Sequence, residues 1–216
     1  MGEAILITRP KYDDGTEYLS AYALEVLKKA RTLPIEVKDF EGKEANKENI
    51  EKYLKSKNPT LLFLNGHGNE TEICGNKDEV IFSLSNIHFL RNKITYARAC
   101  FSASGLGKQA VKDNNGCFIG YTQPFSFWIT GSWSAKPLND RIASLYLEPS
   151  NEIVFSLLKG RTAREADKKS KKMMIENMKT ILAMEKKKEP GAMGMFKILW
   201  DNYEGQVVLG NEGATF

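Results

Sequence analysis

Histidine and cysteine are scarce in this chain: two and three residues respectively among 216. An odd cysteine count with no framework spacing excludes a disulfide-stapled secreted scaffold. No Cys/His spacing fits a zinc site, and neither a P-loop nor a dinucleotide glycine fingerprint is present, so no metal and no cofactor is expected. No apolar run approaches the ~18 residues of a membrane span. The apolar stretch Ala4 to Ile7 is too short and lacks the basic lead-in of a secretory signal. Met1-Gly2-Glu3-Ala4-Ile5-Leu6 lacks the Ser/Thr of a myristoylation site. The charge excess is only +4, and no basic stripe is interleaved with aromatics, which argues against nucleic acid. Lys168-Lys169-Ser170-Lys171-Lys172 and Lys186-Lys187-Lys188 read as solvated helix faces. The expectation is a cytoplasmic chain in a reducing compartment with no membrane attachment.

With 42% hydrophobic residues the chain can bury a sizeable core, and residues 1–216 read as one α/β domain. Ala4 to Thr8 is a first strand. Leu19, Tyr22, Ala23, Val26, Leu27 and Ala30 make one apolar helix face. Pro34 to Phe40 is a second strand, and Asn46 caps a helix presenting Ile50, Tyr53 and Leu54. This β-α-β-α-β order implies a mostly parallel sheet of about six strands with helices on both faces, its strands ordered 2-1-3-4.

The stretch from Leu61 to Cys100 carries the chemistry. Leu61-Leu62-Phe63-Leu64-Asn65 runs into Gly66-His67-Gly68, and Ile94-Thr95-Tyr96-Ala97-Arg98 runs into Ala99-Cys100. Both are short apolar runs of the kind found in buried parallel strands. Reactive groups in open α/β sheets sit past the carboxyl ends of the strands. Neighbouring strands lie about 4.8 Å apart, so adjacency would bring His67 and Cys100 to one edge. A thiol needs a base or a lowered pKa to act as a nucleophile, and an imidazole can serve. The glycines beside His67 admit a substrate backbone, and the amides of Gly68 and Cys100 are placed to hold an oxyanion.

A hydrophobic strand ending in His-Gly, followed by one ending in Ala-Cys, resembles the caspase-like (clan CD type) cysteine peptidases. That group includes caspases, metacaspases, gingipains, clostripain, separase and CHAT domains. Gly66-His67-Gly68 and Ala99-Cys100-Phe101-Ser102 are closest to the CHAT and gingipain-like branches. Gly116-Cys117-Phe118-Ile119-Gly120-Tyr121-Thr122 resembles the strand after the nucleophile, and Val207-Val208-Leu209-Gly210-Asn211 the closing strand. The resemblance implies a peptidase with a His67/Cys100 dyad, a protein or peptide substrate and a possible activating protein partner. It also implies that the residue two before the nucleophile, Arg98, lines the pocket for the side chain before the cut. Arg98 and Cys100 point the same way along a strand. By charge Arg98 would favour an acidic side chain there, with Arg9 as its partner. Asp13 or Asp14 would instead neutralise Arg98 or favour a basic substrate. The Ser-Trp-Arg segment of caspases is not matched: Ser132-Trp133-Ser134 has the Trp without the Arg.

Cys74 and Cys117 read as structural thiols, and His88 as a packed or surface histidine. Asn69 to Asn76 suggests a turn or hairpin, and Ser85 to Leu90 a short helix or turn. Ser102 to Lys112 reads as a helix whose N-terminus would lie at the nucleophile and lower its pKa. Asn114-Asn115-Gly116 is a turn. Thr122 to Pro137, which holds Trp133, reads as a substrate-lining loop or as a hydrophobic plug on the core. Asn151 to Leu158 is helical, Thr162 to Lys188 a long Lys-rich helix, and Pro190 to Gly194 a flexible break. Phe196 to Tyr203 fits helix or strand, and Gln206 to Leu209 a last strand. Two other readings share this pattern: a catalytically silent module of the same fold that docks partners, and a flavodoxin-like domain in which His and Cys coincide.

Overall fold

The structure, a computed structural model, describes residues 3–112, 116–133 and 135–216. In chain order the strands and helices are β1 (Ala4–Arg9), α1 (Asp14–Ala30), β2 (Glu36–Glu41), α2 (Lys47–Ser56) and β3 (Leu61–Asn65). A hairpin of β4 (Glu72–Cys74) and β5 (Val80–Ser83) follows, then β6 (Ile94–Arg98), α3 (Leu106–Ala110) and β7 (Cys117–Tyr121). The chain closes with α4 (Arg141–Leu157), α5 (Ala163–Lys186), α6 (Ala192–Gly205) and β8 (Gln206–Gly210).

Six strands form one sheet in the order β2-β1-β3-β6-β7-β8, parallel except for the β7–β8 pair. The expected placing of the Cys strand beside the His strand is what the sheet adopts. β1, β3, β6 and β7 are buried along their whole length, as central strands covered on both faces must be. Alternation divides their side chains between two cores. Ile5, Ile7, Phe63, Tyr96 and Ile119 face α1 and α4. Leu6, Leu62, Leu64, Ala97 and Phe118 face α2, α3 and the hairpin side.

Local rules set the ends of these helices. Asp13 and Thr16 form a capping box on α1, Asn46 caps α2, and Thr162 and Glu165 form a second box on α5. Asp140 caps α4 by accepting the N–H groups of Ile142 and Ala143.

Three expectations are corrected here. The helix expected from Ser102 begins only at Leu106, because Phe101 takes a left-handed φ of 54° and the Phe101 and Ala103 amides bond to Gln123 and Tyr121 instead. α4 starts ten residues before the expected Asn151. Pro149 lies inside it, and the Leu145 carbonyl that Pro149 cannot serve accepts Nδ2 of Asn177 from α5 at 2.7 Å. The expected break at Pro190 to Gly194 holds only as far as Gly191, whose φ is +81°; α6 starts at Ala192, and a Cβ on Gly194 inside it would stand 3.3 Å from the Trp128 ring. The turn expected at Asn114-Asn115 and residue Ser134 lie outside the described residues. No described helix is long and apolar enough to cross a membrane.

Candidate active site

The site lies at the carboxyl edge of the parallel strands. β3 and β6 pair in register from Leu61↔Ile94 to Asn65↔Arg98. His67 and Cys100 are each two residues beyond that last pair, so both strand exits deliver their reactive residue at the same level.

The His loop is pressed against the Cys loop. A Cβ on Gly68 would come within 2.8 Å of the Glu72 carbonyl oxygen and 3.0 Å of Ala99 Cβ, so only glycine fits without displacement. Gly66 adopts φ +148° with the Cys74 carbonyl where a Cβ would go. The hairpin holds this loop from outside: Cys74 N–H donates to the His67 carbonyl at 2.9 Å and Asn69 N–H to Glu72 at 3.0 Å. Those bonds flank the Gly68–Ile73 bridge, which leaves the N–H of Gly68 out of the ladder.

His67 is half exposed, and its Nε2 lies 2.7 Å from Oδ2 of Asp13. Burial pulls the Asp13 carboxyl up, but bonds from Thr16 and His67 outweigh it and hold it below the usual carboxylate range. Tyr12 packs edge-on to the imidazole, with ring centres 6.1 Å apart, and donates to Asp78 at 2.6 Å. Cys100 is partly buried, and its thiol donates to the Phe125 carbonyl at 3.7 Å. Burial raises its pKa above the ordinary value, opposed by backbone hydrogen bonds including that one. With α3 beginning six residues later, the expected helix start at the thiol is absent.

Two expected site residues are corrected. Arg98 is 0% exposed. Its Nε donates to Asn65 Oδ1, Nη1 to Ser150 Oγ and Asn151 Oδ1, and Nη2 to the Leu19 carbonyl, at 2.6–3.1 Å. The guanidinium also lies 4.7 Å from the centre of the Phe63 ring. Its side chain points into the helix-covered core, away from any substrate. Burial lowers its pKa to about 10. Arg9 is also buried, bound bidentately by Asp39 and once each by Glu41 and Ser20. Both guanidinium groups are buried and taken by protein partners, so neither is free for the substrate-reading role expected of it.

Asp13 pairs with His67, Oδ2 to Nε2 at 2.7 Å. Asp14 is the first residue of α1. Trp133 is 41% exposed and donates its N–H to Thr130; no described contact joins it to His67 or Cys100. The aromatic loop is a plug more than a lining. Phe125 is buried, Phe127 and Ile129 pack on the α1/α4 core, and Trp128 packs with α6. From this loop, the Phe125 carbonyl accepts the Cys100 thiol. Cys74 and Cys117 are buried, their thiols pushed up to about 11 and about 12 by burial, and His88 is exposed against Phe89.

Asn65 is a site-supporting residue that the sequence expectations do not include. Its amide donates to the Thr8 carbonyl at 2.6 Å and accepts from Arg98, tying β1, β3 and β6 together directly beneath the site. A polar residue closing an otherwise apolar strand was the available signal.

No family model matches this chain, and no curated protein matches it. Among solved structures, the complex of Porphyromonas gingivalis RgpB pro- and mature domains superposes with a TM-score of 0.54 at 15% identity. The match covers 99% of this chain and 48% of that one, so the chain spans about half its length. At that identity the likeness speaks for the fold: a mostly parallel six-stranded sheet flanked by helices, of the caspase-like kind.

Proposed function

We propose that this chain is a cysteine endopeptidase in which Cys100 is the nucleophile, His67 the proton carrier and Asp13 the residue that orients His67. The observation that carries this reading is the Asn65↔Arg98 register, which sets His67 and Cys100 at equal heights past adjacent strands. The Asp13–His67 contact supports it, because a base oriented by a third group is the recurring arrangement in nucleophilic catalysis.

In the proposed reaction the Cys100 Sγ attacks the peptide carbonyl carbon while its proton passes to His67. The oxyanion is held by the amides of Gly68 and Cys100. The C–N bond breaks, His67 gives its proton to the leaving amine, and an acyl-thioester remains. Water, deprotonated by His67, then releases the carboxylic acid and restores the thiol. With Arg98 and Arg9 both spent inside the protein, no preference for an acidic side chain before the cut is proposed. The RgpB structure is a complex of pro- and mature domains. By analogy, a protein segment that covers this edge is the proposed partner.

A second reading is a catalytically silent module with the same fold. It is favoured by one observation: burial raises the pKa of the Cys100 thiol, and no helix start lies there to lower it.

Peptide probes bearing a thiolate-trapping warhead, with mass spectrometry to locate the adduct, separate the two. The peptidase reading expects an adduct at Cys100 that Cys100→Ala and His67→Ala both lose. Labelling of Cys100 that is unchanged in His67→Ala, or no labelling together with no peptide hydrolysis, would favour the silent module.

A further inference from the structure

α5 and α6 run antiparallel and share a core that holds Met178, Ile181, Met195 and Leu199. Beside that core lies a face with apolar side chains in solvent. Of the seven exposed large hydrophobic residues among those described, four sit on these two helices: Ile175, Leu182, Met193 and Trp200, at 40–54% exposure. Met193, Phe196, Trp200 and Tyr203 follow one another at helical spacing along α6. Phe196 stacks on Trp200 and Trp200 on Tyr203, with ring centres 6.4 and 5.7 Å apart. Met193, Phe196, Lys197 and Trp200 line an open depression of about 280 Å³. On α5, Ile175 and Leu182 lie among Lys168, Lys171, Lys172, Lys179 and Lys186 within about 100° of the helix circumference, an arc without an acidic residue. Lys171 Nζ stands 5.2 Å from the centre of the Tyr203 ring and joins the two stripes.

Most of these lysines are free to meet an outside anion. Lys179 is paired with Glu176 and Lys197 with Asp201, whereas Lys168, Lys172, Lys186, Lys187 and Lys188 have no ion pair among the described residues. Residues 163–188 carry nine Lys/Arg against four Asp/Glu, an excess at least as large as that of the whole chain.

We propose that this α5/α6 face docks on an anionic lipid surface, with Leu182, Met193, Phe196 and Trp200 entering the headgroup region and the α5 lysines meeting lipid phosphates and carboxylates. The residue types favour a bilayer over a protein partner. Protein interfaces are enriched in Arg and depleted in Lys, and the cations of this face are all Lys. Lys and Trp suit a membrane boundary, where an apolar stem or ring buries while the polar tip stays wet. Apolar anchors beside a basic cluster supply the two signals that stable surface binding takes. Such docking needs no spanning helix. None of these residues belongs to the His67 or Cys100 loops, so docking is independent of the peptidase reading.

Sedimentation of the full chain with phosphatidylcholine vesicles, made with and without phosphatidylserine, tests this. Saturable binding is expected with phosphatidylserine, and binding about tenfold weaker or less without it. Raising the salt from about 0.1 M to about 1 M shortens the Debye length from about 10 Å to about 3 Å and should weaken binding as well. Trp200→Ala should weaken it by about tenfold, and so should Lys168→Glu with Lys172→Glu, which reverses two charges that no described residue pairs. These side chains are exposed, so the lipid-free Tm should change little. The lysine pair keeps the test open should Trp200→Ala misfold. Trp133→Ala removes an exposed Trp from outside this face and should bind as the native chain does. No sedimentation with phosphatidylserine vesicles at millimolar lipid would overturn the proposal, as would equal binding to both kinds of vesicle or full binding by both variants. Binding of a Glu/Leu-rich amphipathic peptide, lost in the same variants while vesicles fail to bind, would make this face a protein dock and overturn it too.

Discussion

One carboxylate serves both the fold and the site: Asp13 Oδ1 accepts the Thr16 N–H that starts α1, while Oδ2 stands 2.7 Å from Nε2 of His67. The two roles separate by mutation. Asn caps a helix as well as Asp does, so Asp13→Asn should keep Tm within about 0.5 kcal/mol of equivalent stability. It should still lower kcat for peptide hydrolysis, by about 10²-fold, because His67 loses the charge that orients it. Asp13→Ala should lower kcat as far and also cost about 1 kcal/mol through the lost cap. Urea unfolding and peptide turnover on the same preparations check both halves. An Asp13→Asn variant with full turnover would remove Asp13 from the site.

Most of the sheet was legible because buried parallel strands are written as branched apolar runs, and the order of strands follows from crossover rules. The His67 and Cys100 positions were legible for the same reason: each is the first reactive side chain past such a run. The burial of Arg9 and Arg98 is not legible in the sequence, because charge usually means exposure. Arg98 escapes that rule only through Asn65, Ser150, Asn151 and the Leu19 carbonyl, which come from parts of the chain up to 79 residues away. The stretch after Cys100 has helical spacing, yet its amides bond to Tyr121 and Gln123. Charge alone does not place Asp13; its pairing with Thr16 three residues on, as a capping box, fixes where it stands.

Cys100 should be the first of the three thiols to react, and slowly at neutral pH. It is the one that is only partly buried, and burial holds its pKa above the ordinary 9.0. Iodoacetamide labelling of Cys100 should therefore rise about tenfold per pH unit from 7 to 9 without a plateau, since the thiolate fraction keeps growing below the pKa. Cys74 and Cys117, at about 11 and about 12, should label only after unfolding. A plateau below pH 8 would mean that the thiol is activated in the free protein.

Asp140 should anchor acid stability. Burial raises its carboxyl pKa, but the N–H groups of Thr130 and Ala143 and the Tyr18 hydroxyl bring it below the usual range. A depressed pKa contributes stability above the unfolded value of 3.8, and that contribution is lost as pH falls through the folded value. Asp140→Asn cannot serve all these donors. It should cost about 1–3 kcal/mol at pH 7, and the cost should shrink below about pH 4. Urea midpoints measured from pH 7 down to pH 3 would show the two stability curves converging.

Arg98→Met should act on stability and not on substrate choice. It leaves Asn65, Ser150, Asn151 and the Leu19 carbonyl without their donor inside the core, a loss of about 3 kcal/mol or more. A variant with native Tm and an altered preference for the residue before the cut would restore Arg98 to the substrate pocket.

Gly68→Ala tests the closeness of the two loops. Its Cβ would meet the Glu72 carbonyl at 2.8 Å and Ala99 Cβ at 3.0 Å, both too near for an unshifted backbone. Neither neighbour is the free end of a flexible side chain, so the His loop must move outward, at a cost of about 1–3 kcal/mol. That movement lengthens the path from His67 to Cys100 and turns the Gly68 amide away from the oxyanion position. Probe labelling of Cys100 and peptide turnover should fall by more than the loss of folded protein explains, about 10²-fold or more, the scale of one missing oxyanion donor. Alkylation of Cys100 by iodoacetamide needs neither the oxyanion donors nor His67 in this scheme, and it should stay near the native rate. A variant that lost both kinds of labelling equally would point to general unfolding of the edge, whereas loss of the peptide reaction alone would mark Gly68 as part of the catalytic geometry.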